Sequence, residues 1–104
     1  MLIYISHPYA NKPENLKETE EICIKLMKEY PNDTIISPIH CFGFAYSEVS
    51  YEHGLQMCLD LLSKCDKMLV FGDFKNSRGC TAEVLYCGMN FIPYEIMEGI
   101  NGQV

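Results

Sequence analysis

Hydrophobic and polar positions along the chain form short apolar runs separated by segments with a helical repeat. The apolar runs are rich in β-branched and aromatic residues, which predicts buried strands. They are MLIYIS at 1–6, TIIS at 34–37, KMLVFG at 67–72 and FIPYEI at 91–96. Between them, apolar residues recur every three or four positions over 13–30, 51–64 and 80–89, which predicts three amphipathic helices.

The predicted helices differ in how clearly their ends and faces are marked. The first has Pro13 near its start and stops at Pro31, and Ser50 is a candidate N-cap for the second. The first helix is predicted to bury a face formed by Leu16, Thr19, Ile22, Cys23, Leu26, Met27 and Tyr30. The second is predicted to bury Tyr51, Leu55, Cys58, Leu59 and Leu62. The third is predicted to bury Ala82, Leu85 and Tyr86. The apolar residues of 38–50 follow neither the helical nor the strand period, so we expect a long loop there.

The order of elements predicts the fold class. Strands and helices alternate along the whole chain, which favours an α/β layer structure with a mainly parallel sheet and right-handed crossovers. A length of 104 residues allows one domain and no second lobe. We expect that domain to span 1–97, with 98–104 as a C-terminal tail.

Composition narrows the classes of partner. Eight basic residues against fourteen acidic ones give a net charge of −6, which disfavours binding to duplex nucleic acid or to an anionic membrane surface. No apolar run approaches the roughly 20 residues of a membrane span, and the start MLIYIS lacks the basic region of a signal peptide. The expected location is the cytoplasm.

The six cysteines fit a reduced interior better than a disulfide framework. Five of them, Cys23, Cys58, Cys65, Cys80 and Cys87, fall in helical stretches or at their edges, where Cys acts as a small buried hydrophobe. Cys41 falls in the predicted loop. No CxxC pair exists, so we expect no structural metal and no cofactor.

The candidate ligand site follows from the parallel sheet. Ligands bind at the carboxyl ends of such strands where the strand order reverses, which selects 6–11, 38–46 and 72–83. In the last segment Ser77 and Gly79 precede a helix predicted to carry Glu83 in its first turn. The N–H groups at that helix start favour an anion or polar ligand, and a carboxylate there suits attack on a sugar anomeric carbon. The alternative is that Glu83 only stabilises the helix dipole.

Other candidates for the site come from the same loops. His7 at the end of the first strand is predicted to contact a ligand, since histidine titrates near neutral pH, while His40 and His53 are expected at the surface. Phe42 and Phe44 either stack on a base or fill a gap beneath the loop. Asp73 is either a pocket wall or a turn residue. The predicted ligand-binding set is Ser6, His7, Tyr9, Phe42, Phe44, Asp73, Ser77 and Gly79.

Four stretches together carry a family resemblance: IYISHPY at 3–9, SPIHCFGF at 37–44, LLSKCDKMLVFGD at 61–73, and an S-x-G-x-x-x-E pattern at 77–83. The chain resembles the nucleoside 2-deoxyribosyltransferase-like proteins. The last pattern is also similar to the 2′-deoxynucleoside 5′-phosphate N-hydrolases. The resemblance implies a flavodoxin-like, three-layer α/β/α domain with a four- to five-stranded sheet. It also implies a small nucleoside or nucleotide as ligand and a homodimer or higher oligomer.

The resemblance also implies roles for individual residues. Glu83 is expected to be the nucleophile that forms a glycosyl-enzyme, with Tyr4 orienting its carboxylate and Ser77 contacting sugar or phosphate. Two positions depart from the pattern: His7 replaces a glycine of the first loop, and Cys58 stands where the enzymes keep an aspartate. Two hypotheses therefore stay open, namely cleavage or transfer at an N-glycosidic bond, or a non-catalytic binder that sequesters a nucleotide-derived signal such as a cyclic nucleotide or ADP-ribose derivative.

Overall fold

Parallel strands alternate with helices in the computed structural model, which describes residues 1–97. The strands are β1 (Leu2–Ser6), β2 (Thr34–Ile36), β3 (Lys67–Val70) and β4 (Tyr94–Ile96), and the helices are α1 (Pro13–Glu29), α2 (Pro38–Phe42), α3 (Tyr51–Leu62) and α4 (Arg78–Met89). Two 3-10 turns, Gly43–Ala45 and Phe74–Asn76, lie in the connections. The predicted tail at 98–104 lies outside the described residues.

The four strands form one sheet in the order β2-β1-β3-β4, with every neighbouring pair parallel. The chain leaves β1 for β2 on one side and then crosses to β3 on the other. The strand order therefore reverses between β1 and β3, and this is where an open α/β sheet opens a crevice for a ligand. The predicted α/β, flavodoxin-like class is confirmed.

Alternate residues of β1 pack against helices on opposite faces of the sheet. Ile3 and Ile5 belong to a buried cluster with Ile22 and Leu26 of α1, whereas Tyr4 lies in a second cluster with Leu62 of α3. Helices thus cover both faces, as the three-layer prediction required. The Tyr4 face also receives α4, through Cys87.

Two helical faces differ from the prediction. In α1, Met27 and Tyr30 are about half exposed, because the buried stripe is narrower than the repeat suggested. In α4 the predicted stripe is only partly right: Tyr86 packs against the second cluster, but Leu85 is exposed, and the residues buried against the sheet are Cys80, Glu83 and Cys87. A buried glutamate replaces an apolar residue there because hydroxyl groups of the sheet meet its carboxylate.

The predicted loop at 38–50 is partly helical. Ser37 is the N-cap of α2 and accepts a hydrogen bond from the His40 backbone N–H, while Pro38 occupies the first turn. A helix of five residues is too short to show a periodicity, which is why the pattern missed it. The predicted N-cap Ser50 of α3 is confirmed, since its side chain accepts from the His53 N–H.

All six cysteines carry free thiols. Cys23, Cys65, Cys80 and Cys87 are buried as predicted. Cys41 is exposed on α2 rather than in a loop, and Cys58 is only half-buried on α3. None of the helices in residues 1–97 has the length and apolar character needed to cross a bilayer.

Candidate active site

A cleft of about 1070 Å³ opens at the carboxyl ends of β1 and β3. Its walls come from the loop after β1, from α2 and the start of α3, and from the segment that joins β3 to α4. Eight of the ten predicted site residues line it: His7, Tyr9, Phe42, Phe44, Asp73, Ser77, Gly79 and Glu83. Tyr4 and Ser6, the other two, lie beneath Glu83 in the core.

Glu83 is held by two hydroxyl groups of β1. The Tyr4 hydroxyl donates to Oε2 of Glu83, and the Ser6 hydroxyl donates to Oε1 at 2.8 Å. Tyr4 and Ser6 lie two residues apart on one strand, so both face α4. Both carboxyl oxygens are therefore fixed by protein groups. Glu83 is almost completely buried, with 6% of its surface exposed.

Burial shifts the pKa values of Glu83 and Tyr4. Burial raises the pKa of Glu83 above its ordinary value of 4.5, while the hydrogen bonds from Tyr4 and Ser6 act in the opposite direction. Burial and the neighbouring Glu83 raise the pKa of Tyr4 well above 10, so Tyr4 remains a hydrogen-bond donor. The arrangement presents an oriented, buried carboxyl group at the bottom of a cleft, and in its ionised form this group is a suitable nucleophile for an electrophilic carbon.

The start of α4 lies two residues earlier than predicted. Ser77 is the N-cap and accepts a hydrogen bond from the Cys80 N–H at 3.2 Å, so the helix begins at Arg78. Glu83 is thus in the second turn, not the first. The alternative role for Glu83, stabilising the helix dipole from the first turn, is therefore wrong.

Gly79 is in the first turn of α4, where it lets an aromatic residue of α3 approach. A Cβ at this position would lie 3.1 Å from the Tyr51 hydroxyl oxygen. The Arg78 guanidinium stacks on the Tyr51 ring at 4.5 Å from its centroid. Tyr51 and Arg78 also line the cleft, and neither was predicted from the sequence as a site residue.

His7 lies on the opposite wall from Glu83, and its ring is already engaged with the protein. Its Nε2 lies 2.8 Å from Oε2 of Glu18 in α1, and its Nδ1 lies 2.7 Å from the Pro8 carbonyl oxygen. The side chain is 1% exposed. Glu18 lines the cleft. It was not predicted as a site residue because α1 contains several glutamates, and the sequence does not show which of them faces the end of β1.

The aromatic residues around the mouth of the cleft differ in burial. Tyr9 and Tyr46 make an edge-to-face pair with centroids 5.3 Å apart, and Phe42 is half-buried. Phe44 is 87% exposed, so it does not fill a gap beneath the loop. The cleft therefore offers flat apolar surfaces beside the polar base formed by Glu83.

Asp73 serves in both of the ways considered for it. It lines the cleft, and it also organises the turn after β3, because its carboxylate accepts a hydrogen bond from the Asn76 amide at 2.8 Å. Asp73 is exposed, and its φ of −80° requires no special backbone.

Cys58 faces the cleft from α3. Burial, and next the nearby Glu83, raise the pKa of this thiol to about 11, so the residue is neutral at physiological pH. A thiol of such weak acidity does not replace a carboxylic acid. Within residues 1–97, no three His, Cys, Asp or Glu side chains are grouped as a metal site would require.

The cleft lies at the switch point of the parallel sheet, and the buried Glu83 lies at its base. The chain belongs to the family described as a domain of unknown function (DUF7768), which matches residues 1–97. No curated protein matches the chain.

Two solved structures share the fold. The 2-deoxyribosyltransferase from Bacillus psychrosaccharolyticus aligns with a TM-score of 0.69 at 20% identity, covering 100% of this chain and 76% of the enzyme. The 2-deoxyribosyltransferase from Leishmania mexicana aligns with a TM-score of 0.66 at 17% identity, covering 92% of this chain. This chain spans 63% of the length of the Leishmania protein. The predicted resemblance is confirmed at the level of the fold.

Proposed function

We propose that this protein binds a 2′-deoxynucleoside or its 5′-phosphate and cleaves or transfers its N-glycosidic bond, with Glu83 as the nucleophile. The observation that carries the proposal is the buried Glu83 carboxylate, held by the hydroxyls of Tyr4 and Ser6 beneath a cleft. The shared fold with two 2-deoxyribosyltransferases adds support.

The reaction has two steps on this assignment. First, a Glu83 oxygen bonds to the anomeric carbon as the carbon–nitrogen bond breaks. The electron pair of that bond stays on the base nitrogen, which takes a proton from solvent. Second, a water oxygen or the nitrogen of another base bonds to the anomeric carbon and gives its proton to solvent. The ester bond to Glu83 breaks, and its electron pair returns to the carboxylate.

Tyr4 and Ser6 position the nucleophile in this scheme. Their hydrogen bonds fix both carboxyl oxygens, so little reorganisation precedes the attack. Ser77, whose hydroxyl caps α4, and the adjacent helix N–H groups are proposed to contact the sugar or a 5′-phosphate. Phe42 and Phe44 provide apolar surface for the base.

A second function is a non-catalytic binder of a nucleotide-derived ligand, and Cys58 favours it. Its neutral thiol faces the cleft at a position where a second acidic group would assist the departure of the base. In this version Glu83 and its partners recognise the ligand without reacting with it.

Product analysis separates the two functions. The protein is incubated with a panel of 2′-deoxynucleosides and their 5′-phosphates, with and without an acceptor base, and free base is measured by chromatography. We expect free base with the wild type, none with Glu83→Gln, and unchanged release with the exposed α1 variant Glu21→Gln. Tight calorimetric binding with the ligand recovered intact would instead support the binder, and no binding to any of these compounds would exclude both.

The predicted homo-oligomer is part of the proposal. All three residues of the edge strand β4 are exposed in a single chain, and open sheet edges are commonly covered in proteins of this size. Light scattering with size-exclusion chromatography tests it, and a mass of 11.9 kDa would refute it.

A further inference from the structure

Glu18 is a second carboxylate of the cleft with a fixed orientation, and it lies across β1 from Glu83. The Ser6 side chain points toward α4 and binds Glu83, whereas the next side chain, His7, points toward α1 and binds Glu18. Successive residues at the end of the strand thus direct two glutamates into one cleft from opposite sides.

The contacts of His7 determine what Glu18 presents to the cleft. Both ring nitrogens of His7 lie against oxygen atoms, Nδ1 against the Pro8 carbonyl and Nε2 against Oε2 of Glu18. Nδ1–H therefore donates to Pro8, and one proton lies between Nε2 and Oε2. Whichever of these two atoms carries that proton, Oε1 of Glu18 remains a hydrogen-bond acceptor.

This oxygen is available to a ligand. The Glu18 side chain is 37% exposed, while His7 behind it is 1% exposed. Within the part of the chain that the structure describes, Oε2 is the only Glu18 oxygen with a hydrogen-bond partner. The bond to His7 limits rotation of the carboxylate, so Oε1 is presented in one direction.

The separation of the two glutamates indicates which part of a nucleoside Glu18 meets. Because the side chains of Ser6 and His7 reach out in opposite directions and each is followed by a hydrogen bond, the two carboxylates lie on the order of 10 Å apart. That is too far for Glu18 to act on the bond that Glu83 attacks. It matches the distance from a sugar bound at Glu83 to the outer edge of its base.

We propose that Glu18 Oε1 accepts a hydrogen bond from the amino group at C6 of a purine or C4 of a pyrimidine, which makes adenine and cytosine nucleosides the substrate class of the cleft. This inference rests on the proposed function. Hypoxanthine and uracil carry a carbonyl oxygen where adenine and cytosine carry the amino group, so they place one acceptor against another. His7 is a positioning residue, because it acts on the base through Glu18.

The test compares 2′-deoxyadenosine with 2′-deoxyinosine in the wild type and in Glu18→Gln. The readout is the ratio of kcat/KM for the two substrates, which cancels effects on folding and on Glu83. An amide can donate to a carbonyl oxygen, so Glu18→Gln is expected to shift the ratio toward deoxyinosine by about tenfold or more. Glu21→Gln, on the exposed face of α1, is expected to keep the wild-type ratio.

Each outcome decides the inference. A ratio that is equal in Glu18→Gln and the wild type overturns it and leaves the proposed function intact. If the wild-type protein does not cleave either nucleoside and does not bind either one in calorimetry, both the inference and the proposed function are refuted. If circular dichroism shows that Glu18→Gln does not fold, Glu18→Asp replaces it, since the shorter carboxylate is expected to reduce the preference for deoxyadenosine, and an unchanged preference overturns the inference.

Discussion

The Tyr4 hydroxyl donates a hydrogen bond to Oε2 of Glu83 across 79 residues of sequence, inside the core between β1 and α4. A tyrosine hydroxyl and a carboxylate rarely share the interior of so small a domain without a functional reason, because each is costly to desolvate. Their contact, together with the hydrogen bond from Ser6 to Glu83, connects β1 to α4 at the base of the cleft.

Removing the Tyr4 hydroxyl is expected to lower turnover while the fold is retained. Tyr4→Phe keeps the buried ring but takes away one of two donors that lower the pKa of Glu83. Less carboxylate is then available near neutral pH, and it is less well oriented, so kcat should fall about ten- to a hundredfold. Release of free base measures it, with Tyr94→Phe on the exposed edge strand as control. Equal rates in Tyr4→Phe and the wild type would contradict the role of Tyr4.

Glu83 is expected to cost stability at neutral pH. Burial raises its folded-state pKa above the unfolded value near 4.5, so the folded state binds this proton more tightly than the unfolded chain does. The stabilising contribution of this residue is therefore present below pH 4.5 and is lost as pH rises through the folded-state pKa.

Replacing Glu83 by glutamine should reveal this cost. Glu83→Gln removes the ionisation and is expected to raise the melting temperature above that of the wild type at pH 7.5, with the difference shrinking at pH 4.5. Thermal melts followed by circular dichroism at the two pH values measure it, and Glu21→Gln should show no such pH-dependent gain. A Glu83→Gln variant that melts below the wild type at pH 7.5 would refute the predicted direction of the change in melting temperature.

Turnover by the wild type should rise with pH through the folded-state pKa of Glu83.

Most of the fold could be predicted because its signals are local. The continuous apolar run at 67–72 has the composition of a central parallel strand, and it forms β3 between β1 and β4. Helix α2 was missed because its five residues are held by the Ser37 cap and Pro38 rather than by an apolar stripe. The face of α4 was predicted only in part, because a helical repeat of apolar residues cannot show that a glutamate is buried there.

The site was predictable where it follows from strand ends and less so where it depends on pairing. Ser77, Gly79 and Glu83 lie in the segment that leads from β3 into α4, so the switch-point rule selected them. Glu18 lies in the middle of an acidic helix, and only the three-dimensional contact with His7 distinguishes it from Glu20 and Glu21.

Restoring a carboxylate at position 58 tests why Cys58 matters. Cys58→Asp places an acid in the cleft near Glu83, where it can protonate the departing base. A positioned general acid contributes about 10²–10⁴-fold, so even an imperfectly placed aspartate should raise release of free base at least about tenfold. Cys41→Asp, exposed on α2 and outside the cleft lining, is the matched control.

The failure of this variant would also be informative. If Cys58→Asp folds, binds a deoxynucleoside and still returns it intact, the non-catalytic binder becomes the better description. If both cysteine variants accelerate release equally, the effect is not specific to the cleft.

Among the glycines of residues 1–97, Gly72 is expected to be the least tolerant of a side chain. Its φ is +74°, and a Cβ there would lie 3.1 Å from Cδ of Pro8 and 3.3 Å from Nε2 of His7. Gly72→Ala should therefore cost about 1–2 kcal/mol from the left-handed backbone alone, with a further loss from displacing the His7 ring. Gly88→Ala, in α4 with no atom within 4 Å of the added Cβ apart from its chain neighbours and the adjacent helix backbone, should instead gain about 0.5–1 kcal/mol. Urea denaturation followed by circular dichroism compares the two free energies of unfolding.

Because His7 holds Glu18, Gly72→Ala should also weaken the preference for deoxyadenosine over deoxyinosine. A variant that kept both its stability and that preference would show that the packing of Gly72 against His7 has no effect on the cleft.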